Sequence, residues 1–201
     1  MKNSFFTAAR IEFFFLFLLL FAPSLGAEER VFLSPVATVK EIQGSLKINR
    51  VEGIVEGKVG DILYPGDQLE TGARDKALLH FEDGDTLVKI SNDTQLEIPP
   101  TWSTQTFLKQ GLLWGKKTAA GSLFLIETPV LVTAVKGTEF FIEVKRPEET
   151  TVLTREGWVE VRFRGEYVEV PALTRASFEK GKPAFLKTVD DSLLAEWASR
   201  F

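Results

Sequence analysis

The sequence predicts an all-β domain, a single sandwich or roll of short antiparallel strands followed by a short C-terminal helix. Three observations predict it. Apolar residues alternate with polar ones over short runs between positions 36 and 186. Turn residues separate those runs. A helical spacing of apolar residues occurs only in the last dozen positions.

In Ser45-Leu46-Lys47-Ile48-Asn49, Leu46 and Ile48 share a face. Ala77, Leu79 and Phe81 do so in the next clear run, with His80 on the other side. Phe140, Ile142 and Val144 lie opposite Glu139, Phe141 and Glu143, and Val159, Val161 and Phe163 lie opposite Trp158, Glu160 and Arg162. A period of two over β-branched and aromatic residues marks strands with one buried face. Between them stand Glu52-Gly53, Pro65-Gly66-Asp67, Asp83-Gly84-Asp85, Pro99-Pro100, Glu156-Gly157, Arg164-Gly165 and Gly181-Lys182-Pro183. Glycine supplies positive φ, and proline presets one turn angle while denying a ladder donor. Residues 81–87, with Asp83-Gly84 at their centre, read as a tight hairpin. Polar-glycine pairs precede aliphatic runs at Gln43, Gln110 and Glu156, but their unequal separations do not support a fixed-period solenoid.

The last segment, 190–201, reads as an amphipathic helix. Asp191 or Ser192 caps it, and Leu193, Leu194, Trp197 and Phe201 recur at helical spacing. So short a helix needs a surface to pack on. Either it docks on its own β-domain, or Trp197 and Phe201 face a partner.

The first 27 residues carry the pattern of a secretory signal peptide: Lys2 and Arg10, the apolar run from Phe13 to Phe21, then small residues ending at Ala27. The apolar stretch is shorter than the ~20 residues that span a bilayer. An uncleaved membrane anchor is the alternative. Removing Lys2, Arg10 and Glu12 from 24 basic and 28 acidic residues leaves 22 and 27, net −5. Residues 28–189 then form one domain, expected in the periplasm or outside the cell. Mild acidity without clustered basic residues argues against a nucleic-acid partner. Lys116-Lys117 is read as a solvated pair on a turn. The chain has no cysteine, so no disulfide staples it.

Residues with chemistry are sparse. His80 is the single histidine and lies mid-strand, a poor general base. Zinc lacks ligands, and calcium needs about six to eight oxygens that Asp83, Asp85, Asn92 and Asp93 do not supply at EF-hand spacing. Glu143, Glu160 and Glu169 alternate with apolar positions as solvent-face carboxylates do. No cofactor is expected. Trp102, Trp114, Trp158 and Tyr167 either stack on a ligand or pack across strands.

One segment stands apart: Glu127-Thr128-Pro129-Val130-Leu131-Val132-Thr133-Ala134-Val135-Lys136-Gly137-Thr138-Glu139-Phe140. It resembles the signature of the FecR-type domain, with Lys136 where the family usually has arginine. Residues 59–72, 77–84, 109–114 and 152–161 are similar, in order, to further stretches of that family, and the resemblance covers 36–186. It implies a non-catalytic all-β extracytoplasmic domain. In the best-known members such a domain takes a signal from an outer-membrane transporter and passes it to a sigma-factor regulator. The expectation here is of the module exported alone, with another envelope protein as partner and the membrane involved only if the leader is uncleaved. Gly137 is expected to hold an unusual backbone angle and Pro129 to end or bend a strand. Lys136 and Glu139, with Trp197 and Phe201, are the candidate partner-binding residues. A carbohydrate-binding envelope module and a periplasmic glycan-acting enzyme are the other readings.

Overall fold

The computed structural model describes residues 34–100, 105–118 and 123–201. The leader, its Ala27 boundary and Trp102 lie outside the described residues. Among the described residues sixteen strands form one hydrogen-bonded sheet. They are β1 Ala37–Gln43, β2 Leu46–Arg50, β3 Gly53–Glu56, β4 Ile62–Leu63, β5 Gln68–Thr71, β6 Lys76–Phe81, β7 Thr86–Glu97 and β8 Gln105–Lys117. There follow β9 Phe124–Glu127, β10 Leu131–Val135, β11 Thr138–Arg146, β12 Glu149–Glu156, β13 Trp158–Phe163, β14 Glu166–Pro171, β15 Thr174–Glu179 and β16 Phe185–Thr188. Helix α1, Asp191–Ser199, follows β16 near the end of the chain.

The sheet folds into two layers because its two longest strands belong to both. The first half of β7 pairs with β6 and with the second half of β8, which continues through β11, β12 and β15 to β16; β6 continues through β1 to β4. The second half of β7 pairs with β5 and with the start of β8, which runs parallel to β9 and continues through β10 and β13 to β14; β5 continues through β2 to β3. The inner faces of the two layers meet in one core. Phe81 of the first layer meets Phe124 of the second edge-on at 4.7 Å, and Phe178 meets Phe163 at 5.3 Å. The architecture is a sandwich, which decides between the two expected forms.

The crossing from one layer to the other needs an irregular backbone. The β7–β8 register breaks between Ser91 and Gln95, where Asn92 and Asp93 take φ of 28° and 51°. Opposite them Gly111 has φ +99°, and a Cβ there would stand 2.4 Å from Thr94 Cα. Only glycine fits. The backbone groups freed by the bend are met by hydroxyls: Leu112 N–H donates to Thr94 Oγ1 at 3.0 Å, and Thr94 N–H donates to Thr71 Oγ1 at 3.1 Å.

The alternation read from the sequence holds in β6, β11 and β13, whose inward residues are buried to 5% exposure or less. The 81–87 hairpin is present, with Gly84 at φ +83°. The helix cap differs from expectation. Asp190, not Asp191 or Ser192, accepts the Leu193 N–H at 3.0 Å. Val189 N–H is still held by Leu173 O at 2.8 Å, so the chain turns into the helix directly after it and Asp190 falls at the cap.

Candidate functional site

The outer face of the first layer carries a row of residues in register from strand to strand: Glu41, Leu78, Lys89, Trp114, Phe141, Leu153, Arg175 and Lys187. Helix α1 lies across the middle of it. Leu194 and Trp197 pack with Phe141, Leu112 and Leu153, and the Trp197 ring meets Phe141 at 5.9 Å. Phe201 meets Phe141 at 5.7 Å. The end of the helix is tied down twice, by an Arg200–Glu143 ion pair and by the Ser91 hydroxyl donating to Arg200 O at 2.6 Å. Glu143 was read as a solvent-face carboxylate; it is buried, because the helix covers that stretch of β11.

Beside the helix end the sheet is uncovered, and a groove of about 390 Å³ opens there. Its floor is apolar, from Leu78, Leu87, Trp114 and Phe141, with Phe201 at one wall and Glu41, Lys89, Glu139 and Arg155 at its polar margin. Glu139 is 6% exposed and both its oxygens are engaged. Oε1 accepts Trp114 Nε1–H at 3.1 Å and Arg155 Nη1–H at 3.0 Å, and Oε2 faces Lys116 Nζ at 3.5 Å. Those three donors lie on the two strands flanking β11. The carboxylate therefore fixes the indole and the guanidinium in place, leaving them ordered at the groove wall.

Of the four residues singled out from the sequence, two line this groove: Glu139 and Phe201. Trp197 is 4% exposed beneath α1, so little of its ring is available to another molecule. Lys136 is exposed on the β10–β11 turn, away from the groove lining, and its side chain makes no hydrogen bond or ion pair with any described residue. Trp114 in the floor and Arg155 at the margin complete the groove. Alternation alone places both on the outer face with Phe141, and that parity was the available signal.

The Gly137 segment is a joint between layers. β10 belongs to one and β11 to the other, and Gly137, at φ +68°, turns the chain between them. Its N–H donates to Thr118 O at 3.2 Å. Gly157 lies against it: a Cβ there would sit 2.5 Å from Gly137 O. Pro129 falls between β9 and β10, and Thr128 Oγ1 pairs with Thr150 Oγ1 of β12 at 3.0 Å, tying that turn to the other layer.

One polar cluster escaped the sequence reading. Lys117 is not on a turn but at the end of β8, with its side chain fully buried. Its parity matches Leu113, which points inward, and that settles its direction. Nζ meets Asp83 at 2.9 Å, Asp85 at 2.6 Å and Thr86 Oγ1 at 3.1 Å. Burial alone would raise the Asp83 pKa, but hydrogen bonds from Thr86 and Lys117 outweigh it and hold the carboxyl below its ordinary value. Lys117 is likewise pulled down by burial, yet ends raised by its bonds to Asp85 and Asp83.

Comparison with known proteins agrees with the signature segment. Residues 67–160 match the family model described as FecR protein. Two crystal structures of a candidate anti-sigma factor from Parabacteroides distasonis ATCC 8503 share the fold, each with a TM-score of 0.56 and 18% identity. The match covers 65% of this chain and 64% and 63% of those chains, so it spans less than two thirds of their length. No curated protein matches the chain. The matched residues run from β5 to β13 and include the bent β7–β8 pair and the Gly137 joint, but not β16 or α1. Over residues 67–160, then, the chain is similar to the FecR family.

Proposed function

We propose that this protein is a non-catalytic signalling regulator of the bacterial envelope, exported and acting by binding another envelope protein. The observation that carries the reading is the groove beside α1. It joins an apolar floor to a rim that is already ordered, the arrangement that anchors a partner side chain at low entropic cost. The FecR match supports the signalling part of this reading, and the leader-like first 27 residues support the envelope compartment. Catalysis is not part of the proposal. Glu41 and Glu139 share the groove, but both Glu139 oxygens are bound by fixed donors, which suits a structural carboxylate rather than a proton carrier. Among the described residues no helix is long and apolar enough to cross a membrane.

A second reading, carbohydrate binding, is favoured by one feature: Trp158 and Tyr167 are 46% and 69% exposed on the outer face of the second layer. One experiment separates the two. A photo-crosslinker at Lys89 in envelope-producing cells is expected to capture one defined protein that a crosslinker at Trp158 does not, and N-terminal sequencing is expected to begin at Glu28. Capture lost on Phe201→Ala would tie the partner to the groove. Glycan affinity that disappears with Trp158→Ala, with nothing captured at Lys89, overturns the protein-binding reading. An intact Met1 on membrane-bound material supports the anchor alternative.

A further inference from the structure

The far flank of α1 ends in an edge strand left open on both faces. Among the described residues β16 pairs with β15 alone, and Phe185 and Leu186 are 65% and 41% exposed. The two point to opposite sides, Phe185 outward from Ser177 and Leu186 beside the core residue Ala176. Val189 N–H donates to Leu173 O in the same register as the β15–β16 pairs. In an antiparallel pair the direction of the backbone groups alternates, so Phe185 and Lys187 turn theirs toward β15. Leu186 and Thr188 then present N–H and C=O at the open edge. Natural proteins blunt such edges, and here the one charge on the strand is Lys187.

Lys187 stands directly opposite Arg175. Like charges facing across a strand pair are unfavourable without a counter-charge. Neither makes an ion pair with a described residue, and Arg175 Nε is buried with no hydrogen-bond partner. The open ladder asks for an extended chain, and the paired cations ask for a carboxylate. We infer that the β16 edge is a docking strand for an extended, acidic segment of a partner protein, which adds to the sheet by backbone pairing and sets its carboxylate against Lys187 and Arg175. A second copy of this chain fits less well: the antiparallel register that pairs Leu186 with Thr188 sets Lys187 opposite itself. The site is separate from the groove and stands on its own residues.

Two eight-residue extended peptides test it, one alternating valine with glutamate and the other valine with lysine. The glutamate peptide is expected to slow hydrogen exchange at the Leu186 and Thr188 amides of the full chain, less so as salt rises, while the lysine peptide leaves them unchanged. Lys187→Glu is expected to reverse that preference, weakening the glutamate peptide by about fivefold or more, the scale of an exposed ion pair lost and made repulsive. Leu186→Pro deletes an outward N–H without touching the bonds to β15, and is expected to abolish the protection at Thr188. Exchange indifferent to both peptides overturns the inference. So does equal response to both in the unaltered chain, or protection without peptide that grows with protein concentration, which would mean a second copy. Crosslinking from Lys89 is a separate readout, so failure at this edge leaves the groove reading standing.

Discussion

Lys117→Met is expected to cost about 3–5 kcal/mol of stability, because it removes a fully buried cation and leaves Asp83 and Asp85, 8% and 14% exposed, without it. Urea titration should show the midpoint fall with the slope unchanged. Adding Asp83→Asn and Asp85→Asn to Lys117→Met should return part of the loss, since neutral groups no longer need the charge. A loss below about 1 kcal/mol would mean that water reaches the cluster and screens it. The pH dependence follows from the same bonds. Asp83 titrates lower in the folded chain than its ordinary 3.8, so its contribution is complete above that value and is lost as pH falls through the folded pKa. Lys117, raised above its ordinary 10.5, contributes fully below that value and loses its part as pH rises through the folded pKa. The network therefore stabilises the fold from roughly pH 4 to pH 10. In Lys117→Met the acid limb should begin at higher pH.

Gly157→Ala is the second large effect, on the order of 2–5 kcal/mol. A side chain at φ +75° costs about 1–2 kcal/mol, and a Cβ 2.5 Å from the Gly137 carbonyl forces a backbone shift worth about 1–3 more. For a domain of this size the melting temperature should drop on the order of 10 °C. Lys136→Ala, one residue from Gly137 but exposed, should stay within about 0.5 kcal/mol. The contrast separates the two jobs of the signature segment. If Gly157→Ala melts like the unaltered chain while Lys136→Ala does not, the joint between layers is not what the glycines are for.

Much of the fold was legible in the sequence, and the reason is local. Parity along β11 put Phe140, Ile142 and Val144 inward, and Asp83-Gly84 marked a hairpin that forms. What parity cannot give is what lies on top of the outward face. Glu139 and Glu143 were assigned to the correct side, yet both are buried, one by Trp114 and Arg155 and one by the end of α1. Covering depends on a helix that joins the sheet from far along the chain. Lys117 was misplaced for a different reason: two adjacent lysines suggest solvent, and only the fold brings Asp83 and Asp85 to the second of them. The choice between sandwich and roll hung on Asn92, Asp93 and Gly111, whose bend acquires meaning once β7 and β8 are seen to pair on both sides of it.

That bent pair also sets how the molecule comes apart. Since β7 and β8 run through both layers, the two layers share one central strand pair. The β7–β8 hairpin is the pairing that can seed both layers, whereas β9 and β11 each close onto one half of β8. A load applied to either layer is borne by the same hairpin, so partial opening at the middle is suppressed and fraying is confined to the outer strands. Indole fluorescence from Trp158 in one layer and Trp197 against the other should accordingly report one denaturation midpoint, not two.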